Sequence, residues 1–169
     1  MFGRKSKSTP PAVSDVFTGL RDRIFTMDPA DVGLQPSWPG AQLWAAMLET
    51  RFPAAIVTLV CVGDGTTSMY FSNGGGVIGS GQHPQVHAAS IEFLKIMQAN
   101  VQTFTRTDDV SYPETGISVM RAMTFEGPFI ASAREDDLGY KRHALWPVFH
   151  AAHDVMNQIR LIEQSRESQ

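Results

Sequence analysis

The sequence is poor in cysteine and has no excess of basic charge. Cys61 is the single cysteine of the 169 residues, so an internal disulfide framework and a cysteine-based zinc site are both excluded. Cys61 lies inside the most apolar run, which is typical of a buried thiol in a reducing compartment. The formal net charge is −3, whereas nucleic-acid-binding domains usually carry a basic excess. We therefore expect a cytoplasmic protein that does not bind nucleic acid.

Long hydrophobic runs are also missing. No run approaches the roughly twenty apolar residues that a membrane-spanning helix needs, and no apolar segment follows the basic residues 4–7, which argues against a secretory signal. Hydrophobic residues make up 43% and charged residues 18%, which excludes a chain that is disordered throughout. The sequence predicts a flexible tail (1–12), a short helix with a Pro/Gly-rich loop (13–40), one α+β domain (41–164) and a flexible C-terminus (165–169).

Two pairs of strand-like runs predict two hairpins. Residues 55–62 and 66–72 flank Asp64-Gly65, a dipeptide that favours a type I′ turn because both central residues of that turn need a positive φ. Residues 117–125 and 129–134 form the second pair. Apolar periodicity predicts helices that begin at Ser14 and that cover residues 41–50, 84–102 and 143–164. We expect an antiparallel sheet built from the two hairpins, with helices packed on it in the order α-β-β-α-β-β-α after a short N-terminal helix.

This order of elements, from Ala41 to Gln164, resembles that of the roadblock, longin and profilin-like domains. The resemblance implies an antiparallel sheet between helices and a role as a dimerising regulator or scaffold of small GTPases or motor assemblies. Residues 64–79, DGTTSMYFSNGGGVIG, are similar to a run in uncharacterised bacterial proteins, and this second resemblance implies no mechanism.

The glycine-rich turn after the first hairpin is a candidate site. Residues 74–79 satisfy the pattern G-x-G-x-x-G, but the acidic residue expected about twenty positions later is missing and a hairpin precedes the glycines, so no dinucleotide site is predicted. Glycines before a helix can expose N–H groups to an anion or small ligand. The residues of that possible site are Gly74, Gly75, Gly76, Gly79, Ser80, Gly81 and His83. The favoured interpretation is a structural turn, in which backbone approaches backbone and Val77 and Ile78 point into the core.

Two histidine pairs have spacings that place both rings on one helical face. His83 and His87 are four residues apart, and His150 and His153 are three apart. Neither pair belongs to a zinc-binding motif, and His150 and His153 fall opposite the apolar stripe of the last helix, which favours a solvated or interface face. No G-x-S-x-G motif accompanies the serines. We therefore predict no catalytic residues, no metal and no cofactor.

Three functional hypotheses remain open from the sequence. The first is a non-enzymatic interaction or regulatory module that contacts a protein partner, possibly a second copy of itself. The second is a small-ligand or anion sensor that uses the turn of residues 74–81. The third is a small hydrolase whose catalytic residues the sequence does not reveal.

Overall fold

The computed structural model describes residues 13–169 and has an α+β fold, which confirms the predicted class. Across these residues seven antiparallel strands form one sheet in the order β4-β3-β2-β1-β6-β7-β5. The strands are β1 (Leu43–Arg51), β2 (Ile56–Val62), β3 (Thr67–Phe71), β4 (Gly76–Val77), β5 (Thr105–Arg106), β6 (Ile117–Thr124) and β7 (Gly127–Arg134). The helices are α1 (Asp15–Thr26), α2 (Pro84–Asn100), α3 (Glu135–Gly139) and α4 (Trp146–Glu167). The predicted tail, residues 1–12, lies outside the described residues.

The sheet lies between two layers of helix. Successive residues of a strand point to opposite faces, so Leu48 belongs to the core beneath α2 and α4, whereas its neighbour Met47 belongs to the core beneath α1. Phe93 of α2 fills the first core and Phe17 of α1 fills the second. The helix after the tail is therefore packed on the same sheet as the rest of the chain.

Local signals for the helix starts are confirmed. Ser14 caps α1, since its hydroxyl oxygen accepts a hydrogen bond of 3.1 Å from the backbone N–H of Phe17. Pro147 lies in the first turn of α4, where its missing N–H costs nothing. The acidic run at residues 135–137 forms the first turn of α3, where carboxylates interact favourably with the positive end of the helix dipole.

The prediction of a helix over residues 41–50 is wrong, because this segment is β1. Ala, Leu, Met and Glu in this run favour a helix, but β1 pairs with β2 on one side and with β6 on the other, and this tertiary pairing overrides the weak local preference. Every residue of the strand from Leu43 to Thr50 is buried, so the run shows no periodicity that would distinguish a strand from a buried helix.

The predicted β2–β3 hairpin is confirmed, but its turn is not type I′. A type I′ turn needs a positive φ at both Asp64 and Gly65. Gly65 has a φ of +96°, but Asp64 is not among the described residues that have a positive φ. The N–H of Gly65 donates to the carbonyl oxygen of Val62 (3.0 Å), and the N–H of Val62 donates to that of Thr66 (2.8 Å). The turn is therefore a three-residue loop, residues 63–65, that ends in a glycine bulge. Such a loop is a common alternative to the type I′ turn in hairpins.

Candidate functional site

The glycine-rich turn connects β3 to the start of α2, and two of its glycines are required by close backbone approach. A Cβ atom on Gly76 would overlap the carbonyl oxygen of Met69, and one on Gly81 would overlap that of Gly65. Gly74 and Gly75 have open space around them, and both adopt a positive φ, which glycine does at little cost. The interpretation as a structural turn is confirmed at Gly76 and Gly81. An anion at this turn stays a prediction.

The polar members of the predicted site do not face a common point. Ser80 is buried, and its hydroxyl donates to the carbonyl oxygen of Thr67 (3.1 Å). His83 precedes α2 without capping it, and its Nε2 lies 3.4 Å from a guanidinium nitrogen of Arg166 at the end of α4. Both side chains therefore tie the turn to neighbouring elements.

The turn does contribute one side chain to a surface groove, which corrects the prediction that Ile78 points into the core. Ile78 is 66% exposed, because Gly79 adopts a left-handed conformation directly after it and turns the chain away from the sheet. Val77 follows the prediction more closely, since it is partly buried against the core beneath α2 and α4.

The groove between α1 and the β2–β3 hairpin, called here the α1 groove, encloses about 250 Å³. Its apolar lining comes from α1, the loop after α1, β2 and the glycine-rich turn: Leu20, Ile24, Met27, Val32, Leu34, Val62 and Ile78. Its polar lining comes from α1 and from the hairpin: Arg23, Asp64, Thr66, Ser68 and Tyr70. Burial raises the pKa of the Tyr70 phenol, whose neighbours Ser68 and Arg23 oppose that rise. The phenol is therefore neutral near pH 7 and can donate a hydrogen bond.

The sequence did not reveal this groove, because its residues come from four separate segments. Arg23 and Tyr70 are far apart in the chain, and no motif joins them. The one available signal was Ile78, a large apolar residue between glycines that carries little information by itself.

The two histidine pairs do not meet as one cluster. His83 lies near the C-terminal end of α4, whereas His150 and His153 lie near its N-terminal end, so α2 and α4 run antiparallel. Within residues 13–169 no three His, Cys, Asp or Glu side chains are grouped as a metal site would require.

The prediction for His153 was a solvated or interface face, and the solvated alternative is wrong, because the ring is largely buried. Its ring packs against Phe149 with 4.2 Å between ring centroids, and its Nε2 is buried without a hydrogen-bond partner among the described residues. Burial first, and then the neighbouring His150, lower the pKa of His153. The Nε2 of His150 lies 3.2 Å from the carbonyl oxygens of Leu138 and Gly139, so this ring links α4 to α3.

A buried ionic cluster under α1, the Glu49 cluster, was not predicted. Arg21 donates to both carboxylate oxygens of Glu49, through its Nε (2.7 Å) and its Nη2 (3.0 Å). The Nε of Arg121 (3.1 Å) and the hydroxyl of Thr58 (2.9 Å) add a third and a fourth hydrogen bond. All four side chains are buried. Both guanidinium groups also donate to the carbonyl oxygen of Ser111. The cluster therefore fixes α1 and the loop before β6 onto the sheet.

Cys61 is buried as predicted, and burial raises its pKa to about 12. A thiol is a weak nucleophile while it stays protonated, so Cys61 acts as a small apolar residue of the core near Thr67 and Ser90.

No protein-family model, curated protein or solved structure matches the chain. The resemblance to roadblock, longin and profilin-like domains stays a prediction, as does the resemblance of residues 64–79. Between Asp15 and Glu167, none of the helices combines the length and apolar character that crossing a membrane requires.

Proposed function

We propose that the chain is a non-enzymatic interaction module that associates with a second copy of itself through the outer edge of β7. The proposal rests on one observation: part of that edge has no pairing strand among residues 13–169. The two-residue strand β5 pairs only with Phe129 and Ile130, and no strand among residues 13–169 pairs with the outer side of residues 131–134.

Residues 131–133 of this edge lack the features by which proteins protect a sheet edge, and the adjoining charged residue is Arg134 at the end of β7. Edge strands are commonly guarded by lysine, proline or a bulge, because their unpaired N–H and C=O groups bind other strands. Ala131, Ser132 and Ala133 carry neither charge nor proline, and β7 pairs with β6 residue by residue without a bulge. Their side chains are small, so a second backbone can approach closely.

The burial of β7 supports the same proposal. The central residues of the neighbouring strand β6 are buried, whereas β7 is only partly buried along most of its length. Pairing with an antiparallel copy of β7 would cover this strand and extend the sheet across a two-fold axis, as isologous contacts require.

Light scattering at increasing protein concentration tests the proposal. We expect the wild-type mass to rise toward twice 18.6 kDa as concentration increases, and the substitution Ser132→Lys to hold the protein as a monomer, because the exposed lysine guards the edge. Asn73→Lys, which adds the same charge in the exposed turn before β4 at the opposite edge, is the matched control and should leave association unchanged.

Two results would contradict this assignment. A wild-type protein that stays monomeric up to several hundred micromolar has no such interface. Association that is weakened equally by Ser132→Lys and Asn73→Lys would place the contact elsewhere, since it would then respond to net charge rather than to the β7 edge.

A further inference from the structure

We propose that the α1 groove is a binding site for a small amphipathic carboxylic acid, whose carboxylate pairs with Arg23 and whose hydrocarbon body lies on the apolar lining. This inference goes beyond the proposed self-association and uses a different surface. The β7 edge and the groove lie on different elements, so the two proposals can fail separately.

The size of the groove points to a small molecule rather than a protein segment. At about 30 Å³ per water molecule in the liquid, a space of about 250 Å³ holds a ligand somewhat smaller than a typical drug. Ligand sites of this kind combine an apolar lining with a few polar groups that fix orientation.

The apolar lining would hold the body of the ligand. Val32 and Ile78 are 56% and 66% exposed, and both lie in the groove. Exposed apolar side chains gathered in one concave site mark binding surfaces, whereas scattered ones are normal. Covering these two side chains would remove apolar surface from water, which stabilises a complex by about 25 cal/mol per Å².

The charges of the groove select an acid. Among residues 13–169 the ion pairs do not include Arg23, and residues 1–12 contain no carboxylate side chain. Asp64 already has a role in the turn, because its Oδ1 accepts a hydrogen bond of 2.9 Å from the N–H of Thr66. Arg23 is thus a cation in the groove that has no ion-pair partner among the described residues, and an arginine binds a carboxylate through two parallel hydrogen bonds.

Tyr70 and Ser68 provide hydrogen-bonding groups beside Arg23. Both residues are buried and line the groove. Because the phenol of Tyr70 stays protonated near pH 7, it can donate to a carboxylate oxygen that Arg23 holds. The ammonium group of an amine would meet the like charge of Arg23 at this position, so an amine should bind more weakly than the acid.

Octanoate, octanol and octylamine, titrated into the full chain by calorimetry, test the proposal. We expect saturable binding of octanoate that is about ten times tighter than that of octanol or octylamine. Arg23→Glu should weaken octanoate binding about tenfold and remove its advantage over octanol, because the charge that pairs with the carboxylate is reversed. Ile78→Ala should lower the affinity for each ligand a few fold, because the variant loses apolar contact with the ligand.

The matched control is Arg160→Glu, an identical change of charge at an exposed position of α4 on the other face of the sheet. It should leave octanoate affinity unchanged. Ser132→Lys at the β7 edge should also leave it unchanged, which separates this result from the test of self-association. The proposal is overturned if the wild type shows no saturable octanoate binding, if octylamine binds as tightly, or if Arg23→Glu and Arg160→Glu have equal effects.

Discussion

Glu49 is a buried acidic residue at the centre of an ionic cluster. It is fully buried, and two buried guanidinium groups, those of Arg21 and Arg121, donate to it. Desolvation lowers the pKa of Arg121, and the nearby carboxylate of Glu49 opposes that change. The cluster holds two positive charges against one negative charge, so removal of the carboxylate leaves both cations buried with backbone carbonyl acceptors but no opposite charge.

We predict that Glu49→Gln lowers the free energy of unfolding by about 3–5 kcal/mol, the usual cost of breaking a buried ion pair from one side. Urea denaturation followed by circular dichroism measures the change. Glu163→Gln serves as the control, since its pair with Arg166 is largely exposed and contributes at most about 1 kcal/mol. An unchanged urea midpoint for Glu49→Gln would show that the cluster does not stabilise the fold.

The β2–β3 hairpin and the start of α2 are joined by a contact that only glycine permits. The backbone of Gly81 lies directly against the carbonyl group of Gly65, and Gly65 itself faces His87, whose Nδ1 would lie 2.6 Å from an added Cβ atom. The backbones of residues 65 and 81 therefore meet with no side chain between them, and the ring of His87 from α2 packs beside this contact.

We predict that Gly81→Ala destabilises the protein by more than about 2 kcal/mol, because the methyl group can be accommodated only by separating the two elements. Gly139→Ala at the end of α3 is the control, since an added Cβ atom there meets nothing within 4 Å. Thermal melts of the two variants measure the difference. Equal melting temperatures would mean that the backbone at residue 81 moves aside freely.

The two cores of the molecule share the same strands, so they should not unfold separately. Phe17 and Phe93 lie in different cores, but adjacent residues of β1, Met47 and Leu48, divide between those cores. Loss of one core removes the partner surface that keeps the sheet ordered, and domains of this size usually unfold in one cooperative transition.

We predict that far-ultraviolet circular dichroism and tryptophan fluorescence report a single urea transition with one midpoint. Trp44 is buried in the core beneath α1, whereas Trp38 packs against the other core, so fluorescence reports on both layers. An early fluorescence change that precedes the loss of helix would show that α1 detaches first and that residues 13–40 form a separate unit.

The sequence alone determined the features that depend on neighbours along the chain. The Ser14 cap, the two hairpins and the long apolar stripes of α2 and α4 were all predictable, because caps, turns and periodicity act over a few residues. The last helix was predicted over 143–164 and begins at Trp146. The need for glycine around residues 74–81 was also visible. Only the tertiary structure explained that need, since the backbone groups that approach Gly76 and Gly81 come from the neighbouring hairpin.

The tertiary structure decided whatever depends on contacts between distant residues. The segment at 41–50 is a strand because β2 and β6 offer partners on both sides, which no local preference encodes. Glu49 gains its two arginines, from α1 and from β6, only when the sheet and α1 come together. Arg23, Tyr70 and Ile78 likewise meet in one groove through folding alone, because packing free energy rather than sequence proximity brings them together.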